Sequence, residues 1–258
     1  MIQRLKAFKK VKHLNVEQVW DTQTSTYVQD EIAMAEVFIQ VAQERQGNPR
    51  GDAEAGQQLL DLWSADFSAC RTRLPINEIH TIIRDGPRGK RPGPDGVPAE
   101  VFQRYAHQLA PIFHEAWEEL MSDGTFSNEM YRVLALKMWV VVPKFEGANR
   151  TEKFRDLEIG NESRKTLARM LTKVVDEVCS SLSTGLSQYQ QAFMSGRDIV
   201  NNTFTMLKTF WDAVEEGDRD GNPLLALLLD CSKGYNFMSR EWITRVLVQA
   251  SVSGNHFR

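Results

Sequence analysis

The chain has 258 residues, 42% of them hydrophobic and 25% charged, with only 9 prolines and 16 glycines. It is long enough for one or two globular domains with a real core, and its composition excludes a disordered or collagen-like chain. No apolar run approaches the roughly 20 residues that cross a bilayer, which excludes membrane insertion, and no membrane partner is expected. The formal net charge is −3, so the whole molecule does not attract nucleic acid, and any such binding must come from local patches.

Met1 to Lys12 carries Arg4, Lys6, Lys9, Lys10 and Lys12 and no acid. It lacks the apolar stretch of a secretory signal and reads as a basic arm, with a mitochondrial presequence as the second reading. Cys70, Cys179 and Cys231 stand far apart with no C-x-x-C pair, which signals neither a disulfide framework nor a cysteine zinc site. A reducing, intracellular setting fits, with nothing to separate nucleus from cytoplasm.

Ile32 to Val41 reads as a helix of uncertain face. The polar run from Gln43 to Gln58 reads as a loop or linker, and Leu59 to Phe67 as a short second helix. Ile76, Ile79, Ile82 and Ile83 recur at helical spacing, with Asn77 a plausible N-cap and Asp85-Gly86-Pro87 the stop. Gly86 to Pro98 is too rich in Gly and Pro for a regular element and must be a loop. Pro98 suits a helix start, with Val101, Phe102, Tyr105 and Leu109 on one face, and Pro111 should kink or restart that helix.

Leu134 to Val142 is apolar and β-branched and predicts a strand ending at Pro143. Asn161 to Leu182 carries the stripe Leu167, Met170, Leu171, Val174, Val175, Val178 and Leu182 and predicts a helix. Asp198 to Glu216 predicts another, with Ile199, Thr203, Met206, Leu207, Phe210 and Val214 inward. Leu224 to Leu229 has the length of a buried strand and a composition that also suits a helix. The mixture argues for a helix-rich mixed α/β (α+β) fold.

Two motifs mislead. His114-Glu115-Ala116-Trp117-Glu118 begins like the zinc helix H-E-x-x-H, but Glu118 stands at the second ligand position. Gly86 to Gly96 lacks the G-K-[ST] ending of a phosphate loop. Asp230 closes an apolar run, where a carboxylate needs compensation, so it either meets a cation or caps the next turn. Lys144 and Arg155 flank the polar turn after the strand at Leu134 to Val142. They could hold two cations over a phosphate or belong to a solvated hairpin. Bases modestly outnumber acids from Lys137 to Arg169, and acids dominate from Asp212 to Asp220.

Taken in order, several blocks resemble the N-terminal half of a reverse transcriptase of the non-LTR retrotransposon type. Lys90 to Glu100, KRPGPDGVPAE, is similar to the family's K-x-P-G-P-D-G-[IV]-P-x-E run. Val142-Pro143-Lys144 resembles an apolar-P-K strand end, and Phe154-Arg155 stands where the family has Y-R-P-I. Gln190 to Arg197 resembles Q-x-G-F-x-x-G-R, and Leu229 to Asn236 resembles the first catalytic block L-D-F-x-K-A-F-D. Asp156, Ala192, Gly234 and Asn236 depart from these patterns.

The resemblance implies a partial right-hand polymerase fold over residues 75–258, fingers plus an incomplete palm with the thumb absent. Residues 1–74 form an N-terminal helical region of unknown role. It implies RNA-templated DNA synthesis by two-metal nucleotidyl transfer in an intact parent, with RNA template, DNA primer and deoxynucleoside triphosphates as partners. Asp230 would be a catalytic Mg2+ ligand, Lys144 and Arg155 would grip the triphosphate, and Tyr235 would floor the sugar pocket. Gln190 and Arg197 would lie near the template. The family's paired-aspartate block is not reached before Arg258, so the chain is expected to be inactive alone and to self-associate through the unpaired strand at Leu224 to Leu229. A noncatalytic nucleic-acid-binding module and an inert mobile-element remnant are the rival readings.

Overall fold

The computed structural model describes residues 16–47, 53–62, 73–123, 127–179, 187, 190–192, 194–220 and 238–250. The predicted strand at Leu224 to Leu229, with Asp230 and Tyr235, lies outside the described residues, as do Met1 to Lys12, Cys70 and Cys231.

The described chain opens on an antiparallel hairpin of β1 (Val19–Asp21) and β2 (Thr26–Val28). Its turn is closed by the Asp21 carboxylate, which accepts from the Thr24 hydroxyl at 2.7 Å and the Gln23 N–H at 2.9 Å. Asp30 then caps α1 (Glu31–Gly47) by accepting from the N–H groups of Ile32 and Ala33. The loop expected from Gln43 to Gln58 is corrected at both ends: α1 runs to Gly47, and α2 (Ala53–Asp61) takes the last six residues. Ala, Glu and Gln between Ala53 and Gln58 are strong helix formers despite their polarity, and Leu60 is buried.

α3 (Ile76–Arg84) forms where the isoleucine spacing placed it, with Ile79 and Ile83 buried. Its N-cap is Pro75 rather than Asn77, because the extended Pro75 offers its carbonyl to the N–H groups of Glu78 and Ile79. α4 (Ala99–Arg104) and α5 (Ala106–Asp123) divide at Tyr105, not at Pro111. The earlier restart places Pro111 in the second turn of α5, where its missing N–H forfeits only the bond to the His107 carbonyl.

α6 (Asn128–Ala135) was not foreseen and takes the first residues of the expected strand, which begins at Lys137. Ser127 caps it by accepting from the Met130 N–H. β3 (Lys137–Pro143) pairs antiparallel with β4 (Phe154–Gly160), and α7 (Glu162–Cys179), α8 (Ile199–Asp220) and α9 (Arg240–Gln249) follow. This is a helix-rich mixed α/β fold with two small antiparallel sheets among the described residues. No described helix is long and apolar enough to cross a membrane.

One core joins Leu74, Ile79 and Ile83 to Ala106, Ala110, Phe113 and Trp117 of α5 and to Met170 and Val174 of α7. The buried line of α7 is Glu162, Thr166, Met170, Val174 and Val178, with Leu167 and Leu171 at its margin. A second core holds Val19, Val37, Ala148 and Phe154. The inward face predicted for α8 is corrected: Ile199, Met206, Leu207, Phe210 and Val214 are exposed, as is Thr203. Helical periodicity tells which residues share a face, but not whether anything covers it.

Candidate functional site

The loop from Gly86 to Pro98 is closed by its own short-range bonds. Gly89 and Gly96 have φ of +66° and +71°, a conformation open to glycine. The Gly96 N–H donates to the Gly93 carbonyl at 3.0 Å, and the Val97 N–H donates to the Asp95 carboxylate at 3.1 Å. α4 completes the closure. The Glu100 carboxylate accepts from the Gly89 N–H at 2.7 Å, while the Gln103 amide donates to the Gly86 carbonyl and accepts from Arg88. The Gly89 N–H, then Glu100's own N–H, hold the Glu100 carboxyl below the ordinary glutamate range.

The closed loop docks on the start of α7. Asn161, buried to 2% exposure, accepts from the Asp95 N–H at 3.2 Å and donates to the Val133 carbonyl at 3.4 Å. Lys165 donates to the Arg91 carbonyl at 3.4 Å. A methyl group at Gly93 would stand 2.6 Å from the Asn161 backbone, so this approach requires glycine. Behind the joint, Arg169 donates to the buried Glu162 at 2.7 Å and to the Thr166 hydroxyl at 2.9 Å. A carboxylate in the first turn also meets the positive end of the helix dipole. Arg88, Lys90, Arg91 and Arg164 stay exposed around this joint.

β4 runs directly into the same joint through Gly160. The ladder pairs Val142 with Arg155 and Pro143 with Phe154. Because side chains alternate, the buried Phe154 takes the inner face and the exposed Arg155 the outer one. Lys144 donates through Nζ to the Glu152 carbonyl at 3.1 Å and through its N–H to the Lys153 carbonyl at 2.9 Å. Lys144 and Arg155 therefore share the turn end of one hairpin.

Gln190 and Arg197 also come together. The Arg197 guanidinium donates to the main-chain carbonyls of Ser187 and Gln190, each at 2.8 Å, and the Gln190 amide donates to the Ala192 carbonyl. Asp176 of α7 anchors this segment by accepting from the Ser195 N–H at 3.0 Å. Burial, then Asp176, push the Cys179 thiol up, which keeps it protonated at neutral pH.

Among the described residues no group of three or more His, Cys, Asp or Glu could hold a metal ion. His114 meets the Leu74 carbonyl at 3.1 Å. Asp230 and Tyr235 lie outside the described residues, so the described residues do not themselves compose the Mg2+ site that the resemblance implies. Asn161, Glu162 and Arg169 were missed from sequence. Only the position of Asn161 at a helix start hinted at it, and its side chain serves the loop rather than the helix.

No family model matches the chain. Over 187 residues the chain is 25% identical to the uncharacterized 149 kDa protein of transposon TX1 from Xenopus laevis. That stretch covers 72% of this chain and 13% of that protein.

Proposed function

We propose that this chain carries the fingers and the first part of the palm of an RNA-directed DNA polymerase encoded by a mobile element. The observation that carries the reading is the joint at Gly160 and Asn161. There the loop containing Lys90 to Glu100 docks, and there the hairpin bearing Lys144 and Arg155 ends. The loop block is thus held at the base of the hairpin whose opposite, turn end carries the blocks at Val142 to Lys144 and at Phe154-Arg155. The likeness of most of the chain to a transposon protein supports the same reading.

In this reading the turn end of the hairpin grips the triphosphate of an incoming deoxynucleotide. Arg155 supplies an exposed guanidinium able to pair two phosphate oxygens at once. Lys144 adds a point charge, held at the turn by the Glu152 carbonyl. Arg197 acts by shaping the segment around Gln190 beside the template, since its guanidinium is committed to main-chain carbonyls. Asp230 as a Mg2+ ligand and Tyr235 under the sugar belong to the proposal through the resemblance alone.

The test is binding by the purified chain of a fluorescent RNA–DNA primer–template and of a photoreactive deoxynucleoside triphosphate. Arg155→Ala and Lys144→Ala should each lower triphosphate capture about tenfold or more, the loss of a charge-assisted bond worth roughly 1.5–3 kcal/mol. Affinity for the primer–template should stay within about twofold, because a phosphate backbone is held by many weak contacts. Equal losses in both would assign the two residues to the nucleic-acid backbone. Capture of neither ligand by the unaltered chain would end the polymerase reading.

A further inference from the structure

We propose that residues 16–38 act as a strap that fixes the turn end of the β3–β4 hairpin and thereby positions Lys144 and Arg155. The value of that positioning for triphosphate binding rests on the function proposed above. The strap itself rests on packing.

A two-stranded hairpin alone is marginal in water, and a long turn adds closure entropy at its tip. Here the tip is tied down from outside. The Trp20 N–H donates to the Asn149 carbonyl at 2.6 Å, and Trp20 bridges Arg150 in parallel register. The Arg150 guanidinium lies 5.9 Å from the Trp20 ring centroid, and Tyr27 packs edge-on against the same indole at 5.0 Å. The Asn149 side-chain amide donates to the Tyr27 hydroxyl at 3.5 Å.

The underside is closed as well. Val19 and Phe154 are both fully buried and share a cluster with Val37 and Ala148. Phe38 of α1 meets Phe154 edge-on at 4.9 Å. Phe154 immediately precedes Arg155, and Lys144 is bonded to the carbonyls of Glu152 and Lys153. A tip free of the strap would carry both cations with it. Trp20, Phe38 and Val19 are thus positioning residues, far in sequence from the groups they hold.

The experiment measures amide exchange by mass spectrometry on the full chain, together with triphosphate and primer–template affinities. Trp20→Ala should speed exchange across residues 144–155 about tenfold or more, while α3, α5 and α7 keep their rates, since local opening need not involve the whole fold. Trp20→Phe, which keeps an aromatic face for Arg150, should recover most of the protection. Phe38→Leu should give a smaller acceleration at the same residues, so the idea stays testable if Trp20→Ala unfolds. Unchanged exchange at 144–155 in both Trp20→Ala and Phe38→Leu, or acceleration spread evenly over all helices, would overturn the strap.

Triphosphate affinity should fall about fivefold in Trp20→Ala with primer–template affinity unchanged, the split expected when positioning rather than folding is lost. A loosened tip with unaltered triphosphate affinity would overturn the positioning role, provided that Arg155→Ala itself weakens triphosphate. If Arg155→Ala has no effect, the function proposed above fails, and the exchange data still decide the strap.

Discussion

Glu100 shows how far one side chain can set the shape of a loop. Its carboxylate closes Gly89 onto α4, and that bond keeps its pKa below the ordinary value. A carboxyl with a depressed folded pKa adds stability that is fully present above its unfolded pKa and is lost as pH falls through the folded one. The loop should therefore hold at neutral pH and loosen in acid, below the ordinary glutamate value of about 4.3. Glu100→Gln keeps an acceptor oxygen and removes the titration. The protection factor of the Gly89 amide, followed from neutral pH downward, should drop in the unaltered chain and stay flat in Glu100→Gln. The same acid response in both would assign it to other carboxylates. Asn161 works differently, because it is neutral and buried, and its contribution should not follow pH in this range.

At the scale of elements, the three-helix core and the helix caps should differ sharply in weight. Trp117 is fully buried between α3, α5 and α7, so Trp117→Ala should cost about 3–5 kcal/mol in denaturant unfolding. Ser127→Ala removes one cap bond from α6, whose buried face is slight, and should cost about 1 kcal/mol. A loss at Ser127 as large as that at Trp117 would mean that α6 holds the Asn161 joint more firmly than its single bond suggests. The contrast also explains which elements could be read from sequence. α3 and α7 announce themselves through apolar residues at unbroken helical spacing. The strands of the first hairpin are three residues each, too short for any period to show, and their buried side chains pack against α1 and the distant β3–β4 hairpin. α2 hides in a polar run. The loop at Lys90 to Glu100 was legible through its resemblance, whereas the Asp95 to Asn161 bond spans 66 residues, and nothing local to either residue encodes it.

Over the whole molecule the net charge is slightly negative, so attraction for a polyanion has to be local. Exposed cations gather around the docked loop, at Arg88, Lys90, Arg91 and Arg164. On α8 the charge is balanced differently, with Lys208 paired to Asp212 and Glu215 one turn from that acid. If the loop face meets the phosphate backbone, binding must release counterions there and nowhere on α8. The logarithm of affinity then falls with the logarithm of salt at about −0.7 to −0.9 per neutralised phosphate. Lys90→Ala with Arg91→Ala should make that slope shallower by about two, with similar loss on unrelated sequences, as expected for backbone rather than base contacts. Lys208→Ala should leave it unchanged, since an exposed ammonium already paired with a carboxylate has little counterion release to offer. Titrating a labelled RNA–DNA duplex at several salt concentrations reads all three proteins on one scale. An undiminished slope in the loop variant would move the contact off this face. A slope reduced equally by Lys208→Ala would show that the chain attracts nucleic acid as a diffuse charge rather than through a built patch.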